Sequence, residues 1–300
     1  MTNREIEIRP LRALADMRAA VDLQKIYWGA DIESVIPAHM LFSLANHGGH
    51  VLAAFDGDRM VGVLVGFLGT NMEEEDRPAM ANLQIVSKRM VVLPEYRSGG
   101  IGYRLKRAQR SLAITQGIRL VVWTFDPLLS TNAHLNIRKL CAISHQYLQD
   151  YYGTESEGGL AKLGSSDRLL VEWWVTNRRV EERLYGRRAD LSLAHYFEAE
   201  TPILNPTVVL PSGLVAPPTE VLRPSSSLAL LEIPTNTPAI ETADPDLHHT
   251  WRMHIRAQFQ YLFERGFVVT DFLHDQHEGR ERAFYLLSYN GPQFESFSMS

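Results

Sequence analysis

Cysteine is almost missing: Cys141 stands alone in 300 residues, which excludes an internal disulfide and a metal site built from several thiolates. A reducing cytoplasm suits such a chain. Apolar runs long enough to span a bilayer are missing too, and the opening stretch MTNREIEIRP reads as a charged strand rather than a signal peptide, so no membrane partner is expected. Positive charge is not in excess. Lys and Arg number 30 against 35 Asp and Glu, a formal charge of -5, so no nucleic-acid surface is expected either. The histidines show no spacing with Asp or Glu that resembles a metal site, and no metal is expected.

What remains is ordinary for a soluble globular protein, with 45% hydrophobic and 22% charged residues. At 300 residues the chain exceeds what one small α/β domain needs. The stretch from Met90 to Asp126 organises it. Met90–Leu93 is a short apolar run closed by Pro94, followed by Arg97-Ser98-Gly99-Gly100-Ile101-Gly102. From Ile101, apolar residues recur at Leu105, Ala108 and Leu112, so a helix starts there, with Lys106, Arg107 and Arg110 expected off its buried stripe. Gly117 stops it, and Ile118–Phe125 is apolar enough for a strand buried on both faces, parallel to the first.

A turn of small residues opening into a helix offers unpaired N–H groups and the positive end of the helix dipole, which is an anion site. No Gly-Lys-Ser/Thr follows the glycines, so it is not a P-loop. A dinucleotide fingerprint needs a small residue where Leu105 stands. The alternative is a helix start packed on a sheet with no ligand.

On either side the chain reads as an α/β protein. Glu5–Arg9 is a half-exposed strand, and Leu11–Trp28 a helix with Leu14, Met17, Val21 and Trp28 on one face. Pro37 opens a second helix through Asn46. Val51–Phe55 and Met60–Leu68 flank Asp56-Gly57-Asp58-Arg59, a hairpin signal, and Asn82–Leu93 is the long strand entering the glycine turn. Glu73–Asp76, the densest charge run, reads as a solvated loop. Arg168–Val175 is a strand. The proline-rich stretch Thr201–Ser227 is connecting structure, and Leu228–Ile233, Pro245–Arg265, Phe267–Leu273 and Arg282–Tyr289 form a strand-helix-strand-strand tail. The domain reading is 1–185, a connection 186–227, an extension 228–293 packed on the first domain, and a frayed tail 294–300.

The order strand, two helices, three antiparallel strands, helix, parallel strand, together with Arg97, Gly100 and Gly102 matching Arg/Gln-x-x-Gly-x-Gly/Ala, resembles the GNAT superfamily of N-acetyltransferases, in a longer branch. The resemblance implies a mixed-sheet α/β fold and an acyl-CoA-dependent N-acyltransferase. Acetyl-CoA or another acyl-CoA would be cosubstrate, and a small-molecule primary amine the acceptor, with a homodimer as a further partner. It implies that Met90, Val91 and Val92 meet pantetheine and thioester, and that Arg97, Ser98, Gly99, Gly100, Ile101 and Gly102 cradle the pyrophosphate. Asn132 and Asn136 would contact the pantetheine arm as a second wall of the cofactor site. The family's proton-donating Tyr falls at Ile137 here. Asp126, at the carboxyl end of a parallel strand, is the candidate general base, with a turn or cap role as its alternative. Loss of that Tyr keeps a second class open, a non-catalytic acyl-CoA-binding or sensor module.

Overall fold

The computed structural model describes residues 5–29, 34–71, 78–153, 166–187 and 189–289. Glu73–Asp76 and the tail 294–300 lie outside them. Two compact units divide the chain. The first comprises Met1–Trp123, Tyr152–Ser166 and Trp173–Asn177, and the second Thr124–Tyr151, Asp167–Glu172 and Arg178–Ser300.

In the first unit, β1 (Ile6–Pro10), β2 (His50–Asp56), β3 (Arg59–Thr70) and β4 (Leu83–Val92) pair antiparallel in chain order. The first part of β5 (Leu120–Phe125) runs parallel to β4, as the intervening α3 (Ile101–Thr115) requires. α1 (Leu14–Trp28) and α2 (Ala38–Asn46) lie between β1 and β2. Met17, Ala20 and Leu23 of α1 are buried, whereas Leu14, expected on that face, is 42% exposed at the helix start. The Asp56–Arg59 hairpin forms as expected, with Gly57 at φ +58°. β4 carries a bulge: Val65 faces Arg89 and Gly66 faces Ser87, leaving Lys88 without a partner in the ladder.

The second unit contains α4 (Ser130–Ala133), continued by a π-helical turn over His134–Lys139, then β6 (Ile143–Leu148) and the first part of β7 (Arg168–Trp174). After these come α5 (Arg178–Leu184), α6 (Leu193–Glu198) and the two-residue pair β8 (Val208–Val209) and β9 (Val215–Ala216). β10 (Leu228–Ile233), α7 (Thr237–Ala243), α8 (Pro245–Glu264), β11 (Phe267–His277) and β12 (Arg280–Tyr289) realise the expected tail, with β10 and β11 both antiparallel to β12. Trp251, Ile255, Phe259 and Leu262 of α8 are fully buried, as their spacing requires. Asp244 caps α8 by accepting from the Leu247 N–H at 2.9 Å.

Candidate acyl-CoA site

The turn between β4 and α3 is built by its backbone. Pro94–Tyr96 makes a short 3₁₀ turn, Ser98 takes φ +61° and Gly100 caps α3 at φ +77°. Among the described residues, the N–H groups of Ser98, Gly99, Gly100, Ile101 and Gly102 have no hydrogen-bond acceptor, and the first bond into the helix is from Arg104 N–H to Gly100 O at 3.0 Å. Ser98, Gly99 and Gly100 are exposed and Gly102 half-buried, while the Ile101 side chain packs inward; unpaired donors at a helix N-terminus are the chemistry an anion requires. α3 is held close to the sheet because Gly62 leaves room: a Cβ there would stand 3.3 Å from both Ile101 Cγ2 and Leu105 Cδ1.

β4 supplies the neighbouring backbone. Among the described residues its ladder with β5 is confined to Ile85–Val121 and Val86–Val122, whereas its ladder with β3 runs on to Val92. The Leu93 N–H donates to Val61 O at 2.9 Å, so by alternation Met90 and Val92 direct their backbone groups to the other edge, and Val91 directs its own toward β3. Arg97 Nε donates to Val92 O at 3.2 Å, and its guanidinium lies 5.4 Å from the Tyr27 ring. Val92 O is therefore already engaged by a donor, while the N–H groups of Met90 and Val92 both point to that edge.

Behind this strand, α3 departs from the expected pattern. Lys106 and Arg110 are buried. Arg110 Nε donates to Val175 O at 2.8 Å. Lys106 Nζ donates to Ser87 Oγ at 2.9 Å and Gln109 Oε1 at 3.3 Å, and lies 3.4 Å from the Trp123 ring centroid. With its oxygen so occupied, Gln109 turns its amide N–H to His50 Nε2 at 2.8 Å, so His50 carries its proton on Nδ1. Burial lowers the Lys106 pKa well below the ordinary lysine value. Burial and then the Lys106 charge bring His50 down to about 4. The sequence offers one signal for this cluster: Lys106 and Gln109 neighbour Leu105 on the helix face toward the sheet.

The remaining candidates belong to the second unit. Asp126 Oδ1 accepts from the Leu128 N–H at 2.9 Å, and Arg252 grips both carboxylate oxygens at 2.6 and 2.9 Å. Asp126, the candidate general base, is thus engaged as turn residue and as the ion-pair partner of a buried guanidinium. Arg252 was not legible as its partner because 126 positions separate them. Asn132 is half-buried on α4, whereas Asn136 is 5% exposed on the π-helical turn. Ile137 is fully buried.

Fold and loop together define a mixed α/β protein with a glycine turn opening its third helix. Residues 18–135, less than half of the chain, match the sequence model of the Acetyltransferase (GNAT) family, so this stretch is similar to GNAT acetyltransferase domains. Comparison with curated proteins gives no match. Among solved structures, the ribosomal-protein-S18-alanine N-acetyltransferase of Escherichia coli is similar at 13% identity and TM-score 0.43, over 58% of this chain and 96% of that one. Arabidopsis thaliana NAA60 in complex with acetyl-CoA is similar at 14% identity and TM-score 0.47, over 58% and 100%. An aminoglycoside acetyltransferase from an uncultured soil metagenomic sample is similar at 18% and 0.36, over 42% and 82%. These distant likenesses carry nothing about the acceptor.

Proposed function

We propose that the chain transfers an acyl group, most simply acetyl, from CoA to the primary amine of a small molecule by direct attack. The observation that carries this reading is the row of five unpaired N–H groups from Ser98 to Gly102 at the start of α3, inside the matched stretch. Those donors suit a pyrophosphate. Arg97 is held beside them by Val92 O and the Tyr27 ring. The backbone of Met90 suits the thioester carbonyl, where a hydrogen bond strengthening as charge develops lowers the barrier. The acceptor arrives as an ammonium and must lose a proton, and with Asp126 bound to Arg252 that proton passes to water. Much of the rate then comes from positioning. A buried lone Cys141 suits a reducing cytoplasm.

The second reading, an acyl-CoA-binding module without turnover, is favoured by one observation: Ile137 is buried where the family pattern places its acidic Tyr. Release of CoA thiol from acetyl-CoA, followed colorimetrically with pools of amino acids, polyamines and simple amines, separates the two. Release above the hydrolysis background is expected with at least one pool. Binding of acetyl-CoA without release under any pool would establish the sensor.

A further inference from the structure

Arg89 of β4 is only 8% exposed, yet among the described residues no carboxylate pairs with it and its Nε has no hydrogen-bond partner. Its guanidinium lies 4.2 Å from the centroid of the Trp28 ring on α1, so one face is covered by an aromatic surface. That contact leaves the edge of the planar fork, the part that recognises oxyanions, unused. An arginine this deeply placed, with its Nε out of water and unpartnered, is costly, which is why arginines at such depth are ordinarily paired. Arg252 and Arg282 obey that rule in this protein, on Asp126 and Glu232, and Arg110 gives its Nε to the backbone oxygen of Val175. Arg89 does not. Its surroundings are cationic and aromatic: Lys88, the bulged residue next to it, lies 5.5 Å from the Tyr152 ring, and Tyr152 also acts electrostatically on Arg89.

Position narrows the ligand. Arg89 directly precedes Met90, whose backbone we assign to the thioester, and consecutive Cα atoms are about 3.8 Å apart. The phosphate cradle at Ser98–Gly102 lies beyond three further strand residues and a turn, about 10 Å of strand alone. An anion held by Arg89 is therefore close to the reacting centre and distinct from the phosphates of CoA. We propose that Arg89, stacked on Trp28, is the receptor for a carboxylate carried by the reactants, so that the substrates are acidic. This rests on the acyltransferase reading above. The carboxylate belongs either to the acceptor, as in an amino acid, or to the acyl group, as in the half-thioester of a dicarboxylic acid.

The test first titrates acetyl-CoA into the wild-type protein by calorimetry, so that the underlying reading is judged by itself. CoA release is then measured in two arms. One arm uses acetyl-CoA with a pool of the standard amino acids and with the same pool as carboxamides. The other uses acetyl-CoA and succinyl-CoA with the carboxamide pool. At least tenfold preference for the free carboxylates in the first arm assigns the anion to the acceptor, and the same preference for succinyl-CoA in the second assigns it to the acyl group. In Arg89→Met the preference should vanish through a rise in KM, with acetyl-CoA affinity and thermal midpoint not lowered. Arg89→Lys, which keeps the charge but loses the fork, should fall between. Equal use of acidic and neutral substrates, a preference that survives in Arg89→Met, or acetyl-CoA binding without release in either arm overturns the inference. Failure to bind acetyl-CoA overturns the acyltransferase reading, and this one with it.

Discussion

At Gly100 the backbone stands at φ +77°, a conformation that costs a residue with Cβ about 1–2 kcal/mol. The cradle's donors are aimed by that conformation, so Gly100→Ala should bind acetyl-CoA about tenfold more weakly, since about 1.4 kcal/mol is one decade. Unchanged affinity in a folded variant would remove the loop from the site. Lys106 makes a second residue-level test. Its Nζ is buried against Ser87, Gln109, Trp123 and, through Gln109, His50, with no carboxylate among the described residues. The unfolded chain holds a proton on this amine up to about pH 10.4, whereas the folded chain releases it well below that. Stability should therefore rise with pH across the window between the two values. Lys106→Met should raise the thermal midpoint at neutral pH and flatten that rise. A lower midpoint with the slope intact would mean that the ammonium is stabilising where it sits.

Among the elements, α8 shows most directly how spacing becomes structure. Trp251, Ile255, Phe259 and Leu262 fall on one stripe in the sequence and are fully buried in the fold. Trp251→Ala should cost about 3–5 kcal/mol, read as a drop in denaturation midpoint. A loss below about 1 kcal/mol would contradict the packing described. The same helix carries Arg252, and Asp126→Asn should lower stability while changing CoA release by less than tenfold. A loss of a hundredfold or more with the fold intact would restore Asp126 as the base. Strands, hairpin, glycine turn and α8 were legible because periodicity and turn chemistry are local. The bulge at Lys88 and the burial of Lys106, Arg110 and Arg89 were not, because a charge at an inward register is explained only by what faces it, and Ser87, Val175 and Trp28 lie far along the chain. The π-helical turn after α4 escaped for a related reason: Ala133, Ile137 and Leu140 fit an α-helical stripe equally well.

Each unit of the whole molecule has a histidine whose protonation burial opposes. His50 in the first unit and His254 in the second both have pKa values lowered to about 4, His50 by burial and then Lys106, His254 by burial alone. In the unfolded chain each titrates near about pH 6.5. Their contribution to stability is present above pH 6.5, is lost progressively as pH falls toward about 4, and amounts to a few kcal/mol per group at about 1.4 kcal/mol per pH unit. Chemical denaturation across that range should show the loss, and His50→Gln and His254→Gln should each flatten it. A flat wild-type profile would contradict this. The unit boundary falls at Trp123–Thr124, within β5, where the residue pattern is an apolar run with Thr124 as its one polar member. Local composition gives no sign of such a boundary; it draws attention to the proline-rich stretch after Thr201. The central claim, that an acyl-CoA is held by the amides opening α3, is tested most directly by hydrogen exchange with and without acetyl-CoA. Slowed exchange confined to the segment from Arg97 to Tyr103 and to β4 near Met90 is expected, at ligand concentrations where calorimetry shows one site. Unchanged exchange at Ser98–Gly102 with the protein saturated would place the cofactor elsewhere and contradict the claim.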